Sequence, residues 1–592
     1  MSIICCGTKA TRLPSYKLQQ TPPWILSVLF ALQHLVVQAS LLCTCHFLLL
    51  QSRPLQLQDQ SQLLASSLFT CGITTILQSS LGTRLPLVQA PTFELLIPAL
   101  ILSKQTVLNR TSNNETQRSL ICTGSDCEQL QNGPHSVSEV SGALLVTGLL
   151  QLLFGATGLW GWILQHSGPM VIAPTLSIIG LSCFKQATFC CSSSWGIALL
   201  LIFITGLLSQ NLHSCHIPIY SWELKRRTDR RYVPVLRMLS MLLPIACIWI
   251  VFIILKIVIK RKEVESAIRL VQNQSTLITA NSSSSVTGFG VELEYIPWFQ
   301  IPSLGGFGWP QFNFQTLTVG IAMTVTSSLS SLGCYILCSR VMSSPPVPSH
   351  ACNRGISMEG VGNILSGVLG SICGVGSSIT NAGMVGLTQV GSRHPVQISA
   401  VLFVILGSSP KMSEILMSIP LAVHGGVLCL TYSVAVGAGV SYFQYADIDS
   451  GRNIFIVGFA MFMALLIPRW LVAHPGHLVT GWEPFDLFLL SLLTVPVFMC
   501  GLLSFILDNT VTGTLRERGL DTNFTSCLPV LSKGITKGQQ DELAEAYGLP
   551  CGLSSFFPTV YPCNQLCPPQ LEIVTIIEGE EDKLLSKPVT DS

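Results

Sequence analysis

Apolar runs of roughly 17 to 25 residues recur along the chain, each long enough to cross a hydrocarbon layer of about 30 Å as a helix. Trp24 to Leu50, Ser141 to Leu164, Met238 to Ile259, Leu317 to Cys338 and Leu487 to Leu507 are clear cases. There are about fourteen such runs by that length rule, which predicts an all-α polytopic membrane protein whose unavoidable partner is the lipid bilayer. Composition agrees, because 10% of the 592 residues are charged and 49% are hydrophobic, against roughly 25% charged in soluble domains. A formal net charge of +2 gives no clustered basic surface for a polyanion, so nucleic acid is excluded as a partner. The first run is longer than a signal-peptide core and lacks a small-residue cleavage site, so it is expected to remain as a span.

Basic residues near span ends are retained in the cytoplasm, and this orients the chain. Lys225, Arg226, Arg227, Arg230 and Arg231 mark one cytoplasmic loop, and Lys9, Arg12, Lys17, Arg340, Arg354 and Arg452 fall on the same side if each half holds about seven spans. The opposite side receives the loops 103–138 and 260–313. Both carry glycan acceptor sequons, at Asn109, Asn114, Asn273 and Asn281, which must be lumenal to be used. The expected organisation is a cytoplasmic tail 1–22, a first half 23–259 containing the loop 103–138, the glycosylated loop 260–313, a second half 314–508 and a cytoplasmic tail 509–592. That last tail holds a further sequon at Asn523 and the acidic "EGEEDK" of Glu578 to Lys583, and it reads as solvated and mostly disordered.

The 22 cysteines show no metal-ligand or disulfide-framework spacing. Cys122 and Cys127 share a loop in an oxidising compartment and form a candidate disulfide. The "HSCH" of His213 to His216 has no second cluster to complete a tetrahedral shell, so packing is its expected role.

Two segments break the apolar pattern. Leu85 to Leu102 is interrupted by Pro86, Pro91 and Pro98, and "SSITNAGMVGLTQVGS", Ser377 to Ser392, carries Gly383, Gly386 and Gly391 among polar residues. Each is the third segment of its half. Short or interrupted spans at matching places in two halves point to an inverted-repeat transporter with a midplane site, since irregular backbone at membrane depth must be satisfied by protein or a cavity. Close helix packing also favours Gly and Ser and is the competing explanation. Asn381 adds an amide that donates and accepts at once, suited to a heterocycle edge or a polyol. Gln33 and His34 form a polar pair in mid-span and need buried partners. The hydroxyls of Thr324 to Ser331 mostly need no ligand, because Ser and Thr in membrane helices bond back to their own backbone.

From "TPPW" at Thr21 to "LRERGL" ending at Leu520, the chain resembles the nucleobase-ascorbate transporter family, also called nucleobase:cation symporter type 2. The resemblance rests on "QH" at Gln33 and His34, "RLPLVQA" at Arg84 to Ala90, "NAGMVGLT" at Asn381 to Thr388, which fits the family's NxGxxxxT signature, and "DIDSGRNIFIVGF" at Asp447 to Phe459. It implies a core domain and a gate domain built from two inverted seven-span repeats, with substrate held between short strands that break the third and tenth spans. Carried over residue by residue, the substrate contacts are Gln33, His34, Ala90, Thr92, Ser330, Cys334, Thr380, Asn381, Gly383 and Thr388. The family also implies a nucleobase or ascorbate as small-molecule substrate, a sodium ion as coupling ion, no cofactor and a plasma-membrane location, and it leaves a homodimer open.

One departure stands out. Where family members read like "ESIGDYYA" in the eighth span, this chain has "SSLGCYIL", so Ser330 and Cys334 replace a Glu and an Asp. Carboxylates at membrane depth are costly and are kept for ions, protons or substrate. Thr380 likewise stands where relatives use Gln, Glu or Pro. Glu94 is the carboxylate within the two interrupted segments, and it is either a substitute ion-coupling group or a residue paired at a helix end. Three functions follow: a transporter of a purine nucleobase, hypoxanthine or xanthine, driven by sodium or acting as an exchanger; a sodium-dependent ascorbate transporter; and a non-transporting relative. An enzyme is not expected, because no nucleophile–base pair or metal cluster occurs at a workable spacing.

Both termini fall in the cytoplasm in this topology, so Asn109, Asn114, Asn273 and Asn281 are expected to carry glycans and Asn523 to stay bare. A glycosidase-sensitive gel shift that persists with Asn523 as the only remaining sequon refutes it.

Overall fold

The computed structural model describes residues 4–5, 16–52, 57–114, 125–220, 230–274, 297–371, 373–519, 537–550 and 565–566. Helices dominate because each one satisfies its own backbone N–H and C=O groups where water is absent. In chain order, α1 (Trp24–Ser52), α2 (Leu57–Ser80), α3 (Phe93–Asn114) and α4 (Ser125–Thr157) precede α5 (Leu159–His166), α6 (Pro169–Ser182), α7 (Phe184–Cys191), α8 (Trp195–Gly206), α9 (Val235–Met238) and α10 (Leu242–Gln274). The second part comprises α11 (Phe314–Val341), α12 (Ser349–Leu369), α13 (Ile379–Thr388), α14 (Arg393–Gly407), α15 (Pro410–Met417), α16 (Leu421–Tyr442), α17 (Gly451–Ala473), α18 (Glu483–Leu493), α19 (Pro496–Thr510) and α20 (Lys537–Tyr547). Strands are few: β1 (Ile4–Cys5), β3 (Cys215–Tyr220) and β4 (Arg230–Val233) form one antiparallel sheet, and β2 (Gln89–Ala90) pairs with β5 (Gly376–Ser377).

Among the described residues, seven helices are long and apolar enough to cross a membrane, or nine if each of two bent pairs counts as one span. The pairs are α14–α15, bent by 108°, and α18–α19, bent by 82°. Pro410 and Pro496 open the second helix of each pair, where a missing N–H costs nothing and the ring blocks continuation of the preceding helix. The apolar run Leu487 to Leu507 is therefore two helices rather than one. Ser141 to Leu164 is also divided, because Gly158 adopts φ 82° between α4 and α5. Helices α3, α4 and α10 extend into the stretches read as loops, carrying Asn109, Asn114 and Asn273 on their backbones; Cys122, Asn281 and Asn523 lie outside the described residues.

The helices pack as two groups. In one, α4 lies against α12 and α11, α2 against α14 and α12, and α1 against α14. In the other, α16 lies against α6, α7 and α8, and α19 against α6 and α17. The groups meet where α13 and α1 contact α16 and where α11 contacts α18 and α19. The "DIDSGRN" motif ties down one end of the second group: Arg452 reaches buried Asp508 at 2.9 Å, and Asn453 donates to the carbonyls of Asp447 and Glu517 at 2.7 Å.

Part of the C-terminal tail departs from the expected disorder. Tyr547 at the end of α20 is fully buried, its hydroxyl donates to the Pro345 carbonyl, and Arg354 donates to the Tyr547 carbonyl at 2.6 Å. Arg393 donates to the Ala546 carbonyl. Two cations thus meet the electronegative end of α20, a favourable placement for the helix dipole.

Helices α4 and α12 approach closely at Gly148 and Gly360. A Cβ on Gly148 would lie 2.6 Å from the Gly360 carbonyl oxygen, and one on Gly360 would lie 2.7 Å from that of Gly148. Small residues that let backbones touch are what drives helix association in lipid. Gly148→Leu and Gly360→Leu are each expected to lower stability in detergent by about 1–3 kcal/mol through overpacking, whereas Gly437→Leu, with open space around it, is expected to leave thermal unfolding unchanged. Equal melting of all three variants contradicts this packing account.

Candidate functional site

The two interrupted segments meet face to face. Gln89 pairs with Ser377 and Ala90 with Gly376 in an antiparallel register, and α3 and α13 start just beyond the strands. Pro91 and the glycines around Gly376 prevent a continuous helix here, so the backbone needs partners from elsewhere. It finds them. Thr75 Oγ1 accepts from Gln89 N at 2.9 Å, the Val88 carbonyl accepts from Ser378 N at 2.9 Å, and Asn363 Oδ1 accepts from Val375 N at 2.7 Å. Gln151 holds Asn363 in turn, at 2.7 Å, and donates to Ser327 at 2.9 Å.

A chain of buried hydrogen bonds runs through this point. His34 Nδ1 lies 3.1 Å from Asn381 Oδ1, and Asn381 Nδ2 donates to Gln38 Oε1 at 3.2 Å and to Ser378 Oγ at 3.0 Å. Gln38 donates to the Gln89 carbonyl at 3.1 Å, and the Gln89 side chain donates to Ser377 Oγ at 2.9 Å. Ser377 and Tyr335 both donate to Glu359 Oε1, at 2.6 and 2.7 Å, and Gln78 donates to Tyr335 at 3.0 Å. All of these residues are buried.

Beside the chain, at the start of α3, lies a second cluster. The Glu94 carboxylate is flanked by the hydroxyls of Thr92 and Ser330, Thr326 donates to the Glu94 carbonyl at 3.2 Å, and Cys334 lies near both Glu94 and Glu359. Thr92 and Ser330 turn their hydroxyls to the Glu94 carboxylate, and Ser331 and Gln89 lie beside that of Glu359, with looser geometry than the bonds of the chain above. A buried polar group left bare costs about 1–3 kcal/mol, so these loosely held groups gain most from a further polar partner. A carboxylate in the first turn of α3 is also favoured by the helix dipole.

Of the residues singled out from sequence, His34, Ala90, Thr92, Ser330, Cys334, Thr380, Asn381 and Glu94 come together around the strand pair; Thr380 Oγ1 lies 2.8 Å from Ser378 Oγ. Three have protein partners of their own. The Gln33 amide is taken up by the Met238 carbonyl and the Leu242 N–H, each at 3.1 Å, so it bridges the break between α9 and α10. Thr388 bonds back to the Met384 carbonyl at 2.9 Å. Gly383 makes room for α16, since a Cβ there would lie 2.2 Å from the Thr431 carbonyl oxygen. Sequence reading missed Gln38, Gln78, Gln89, Tyr335, Glu359 and Ser377. Gln38 had a signal, because it is four residues from His34 and shares its helix face. In "HSCH", His213 and His216 use Nδ1 on the backbone carbonyls of Gln210 and Ser214. Among the described residues no group of three or more His, Cys, Asp or Glu is placed to hold a metal ion.

The chain has relatives among known proteins. The Xan_ur_permease profile, described as the permease family, matches residues 26–473. The chain is 42% identical to solute carrier family 23 member 3 of Mus musculus over 92% of this chain and 86% of that protein. It is 33% identical to solute carrier family 23 member 2 of Rattus norvegicus over 91% of this chain and 80% of the relative. With nucleobase-ascorbate transporter 1 of Arabidopsis thaliana it shares 26% identity over 92% and 96%. Among solved structures, the transmembrane domain of a cyanobacterium bicarbonate transporter, BicA, aligns over 82% of this chain and 96% of that one at 12% identity, with a TM-score of 0.39, too low to carry an argument. The chain is a multi-pass membrane protein that belongs to the nucleobase-ascorbate transporter family.

Proposed function

We propose that this protein is a secondary-active transporter of purine nucleobases, hypoxanthine or xanthine, that works by alternating access as a sodium symporter or an exchanger in the plasma membrane. The observation that carries the reading is the pair of half-helices meeting at β2 and β5, with the Glu94 carboxylate and the hydroxyls of Thr92 and Ser330 beside them, next to the contact of Phe93 with Tyr432 of α16. That is the arrangement by which discontinuous helices bind small polar solutes at the midplane of a transporter. If α3 and α13 count as half-spans, and α6–α7, α14–α15 and α18–α19 as one crossing each, about seven crossings fall in each half, as an inverted repeat requires. The group containing α1–α4 and α11–α14 then corresponds to a core that carries substrate, and the group around α16 to a gate. Ascorbate is the second reading, favoured by the name of the Arabidopsis thaliana relative and by the many hydroxyl partners at the site.

Within this reading Asn381 is the hub that links substrate to the strand pair. Asn381→Ala is expected to abolish uptake of labelled hypoxanthine and xanthine while surface expression stays near normal, since it leaves His34, Gln38 and Ser378 each short of a buried partner, at about 1–3 kcal/mol apiece. Unchanged uptake removes the assignment. Measuring uracil and ascorbate in the same cells separates the readings, and ascorbate uptake alone selects the second.

Coupling is expected to be weak. Ser330 and Cys334 carry no charge where relatives carry two carboxylates, so a sodium ion has Glu94, hydroxyls and backbone carbonyls to rely on. Uptake should depend less steeply on sodium than in carboxylate-bearing relatives, and Ser330→Glu should steepen it, because about 1.4 kcal/mol of added charge interaction changes ion affinity tenfold. Steep sodium dependence in the unmodified chain, kept in full by Glu94→Gln, places coupling elsewhere.

A further inference from the structure

His46 on α1 and His424 on α16 are both completely buried, and all four of their ring nitrogens lack a hydrogen-bond partner among the described residues. The two helices belong to different groups, so the rings stand at the boundary across which the groups must slide or part. They stand at the same end of it. His46 lies about 18 Å along α1 beyond His34, and His424 lies about 12 Å along α16 from Tyr432, whose ring is 6.3 Å from Phe93 beside the site. This is the end of α1 farther from the N-terminus, hence the non-cytoplasmic end in the topology argued above, on which the inference rests.

The boundary around the rings is closed and apolar. The Phe47 ring lies 6.4 Å from both imidazoles, Thr44 Oγ1 is 3.6 Å from Cys190 Sγ of α7, and Cys43 Sγ is 4.0 Å from the Leu416 carbonyl of α15. The titratable groups near it are Cys43 from α1, Cys190 and Cys191 from α7, and Cys429 from α16, which lies beside Cys191. Charges on the same elements are engaged elsewhere: Lys411 pairs with Glu414 at 2.7 Å on α15, and Lys185 of α7 lies over the Phe184 ring. No carboxylate among the described residues stands beside either ring to accept a proton's charge. An imidazolium formed here would be an unpaired buried cation, which is among the most costly groups to leave out of water.

We propose that His46 and His424 form an acid-sensitive closure of the non-cytoplasmic mouth, in which the neutral rings let α1 pack against α7 and α16 and protonation of either ring parts the two helix groups there. The sign follows from linkage. Once solvated in the open mouth an imidazole titrates near its ordinary value of about 6.5, so closure is favoured above that value and opposed as the outside pH falls below it. Acid outside therefore favours the outward-open arrangement, independently of which solute the site carries.

The boundary's own thiols report on it. Intact cells expressing the full chain with Trp298→Cys, an exposed reference position, are treated with a membrane-impermeant charged methanethiosulfonate at about pH 7.4 and at about pH 5.5. Labelling of Cys190, Cys191 and Cys43 is read by mass spectrometry relative to the thiol introduced by Trp298→Cys, which cancels the pH dependence of thiol reactivity itself. The expected result is a rise in relative labelling of about tenfold at the lower pH, lost when His46→Phe and His424→Phe are combined. The pair His46→Gln and His424→Gln, uncharged at both pH values, gives the same comparison if the Phe pair fails to reach the surface. Relative labelling that is independent of pH, a rise that survives both double variants, or labelling that needs permeabilised cells overturns the proposal. Hypoxanthine uptake in the same cells is read separately, so a chain that opens with acid but carries no nucleobase retains the closure and loses only the transport reading.

Discussion

The antiparallel contact of Gln89 and Ala90 with Gly376 and Ser377 is the constraint on which the rest of the arrangement depends. Two helices that begin at membrane depth expose N–H and C=O groups that water cannot reach, and a strand pair only two residues long satisfies few of them. The remainder go to side chains drawn from distant helices: Thr75 from α2, Asn363 from α12 and, through it, Gln151 from α4. Each of these polar residues would be a liability in a lipid-facing helix, and each is buried because it has that task. The close contact of α4 with α12 through Gly148 and Gly360 brings Gln151 within reach of Asn363. Packing and polar satisfaction are thus one design, since separating the helices also unpairs the strand region.

The same constraint places charge. Ser330 and Cys334 of α11 carry no charge, yet the region keeps two carboxylates, Glu94 from α3 and Glu359 from α12, with Cys334 near both. Their settings differ. Glu359 Oε1 is tied down by Ser377 and Tyr335, which makes this carboxylate part of the scaffold that holds β5. Glu94 instead sits at the start of α3 with the hydroxyls of Thr92 and Ser330 as its neighbours.

Much of this was legible in the sequence, for identifiable reasons. Repeated apolar length announced the membrane helices, and Pro and Gly interruptions located the strand pair, because those residues act on the backbone locally. His34 and Asn381 were conspicuous as polar residues among apolar ones. What stayed hidden depends on faces and on partners far along the chain. Glu359 sits among small residues in "SMEGVG", where nothing local says that Tyr335 and Ser377 will surround it. Gln33 and His34 are adjacent, so a helix turns them about 100° apart, and only His34 reaches the Asn381 amide while Gln33 bridges the Met238–Leu242 break. The unbroken reading of Ser141 to Leu164 failed at Gly158 because a lone glycine in an apolar run can be a helix residue or a left-handed stop, and hydropathy does not distinguish them.

Asn381 poses a last physical question, since its amide is already saturated: Oδ1 faces His34, and Nδ2 donates to Gln38 and Ser378. A ligand that bonds to it must displace a protein partner, and exchanging one buried hydrogen bond for another changes the free energy by only about 0.5–1.5 kcal/mol. The exchange is nearly neutral, so the main physical work of the amide is to hold α1, through His34 and Gln38, against the start of α13. Removing it leaves three buried polar partners short of a bond at once, and the polar chain that holds the two half-helices in place loses its link to α1.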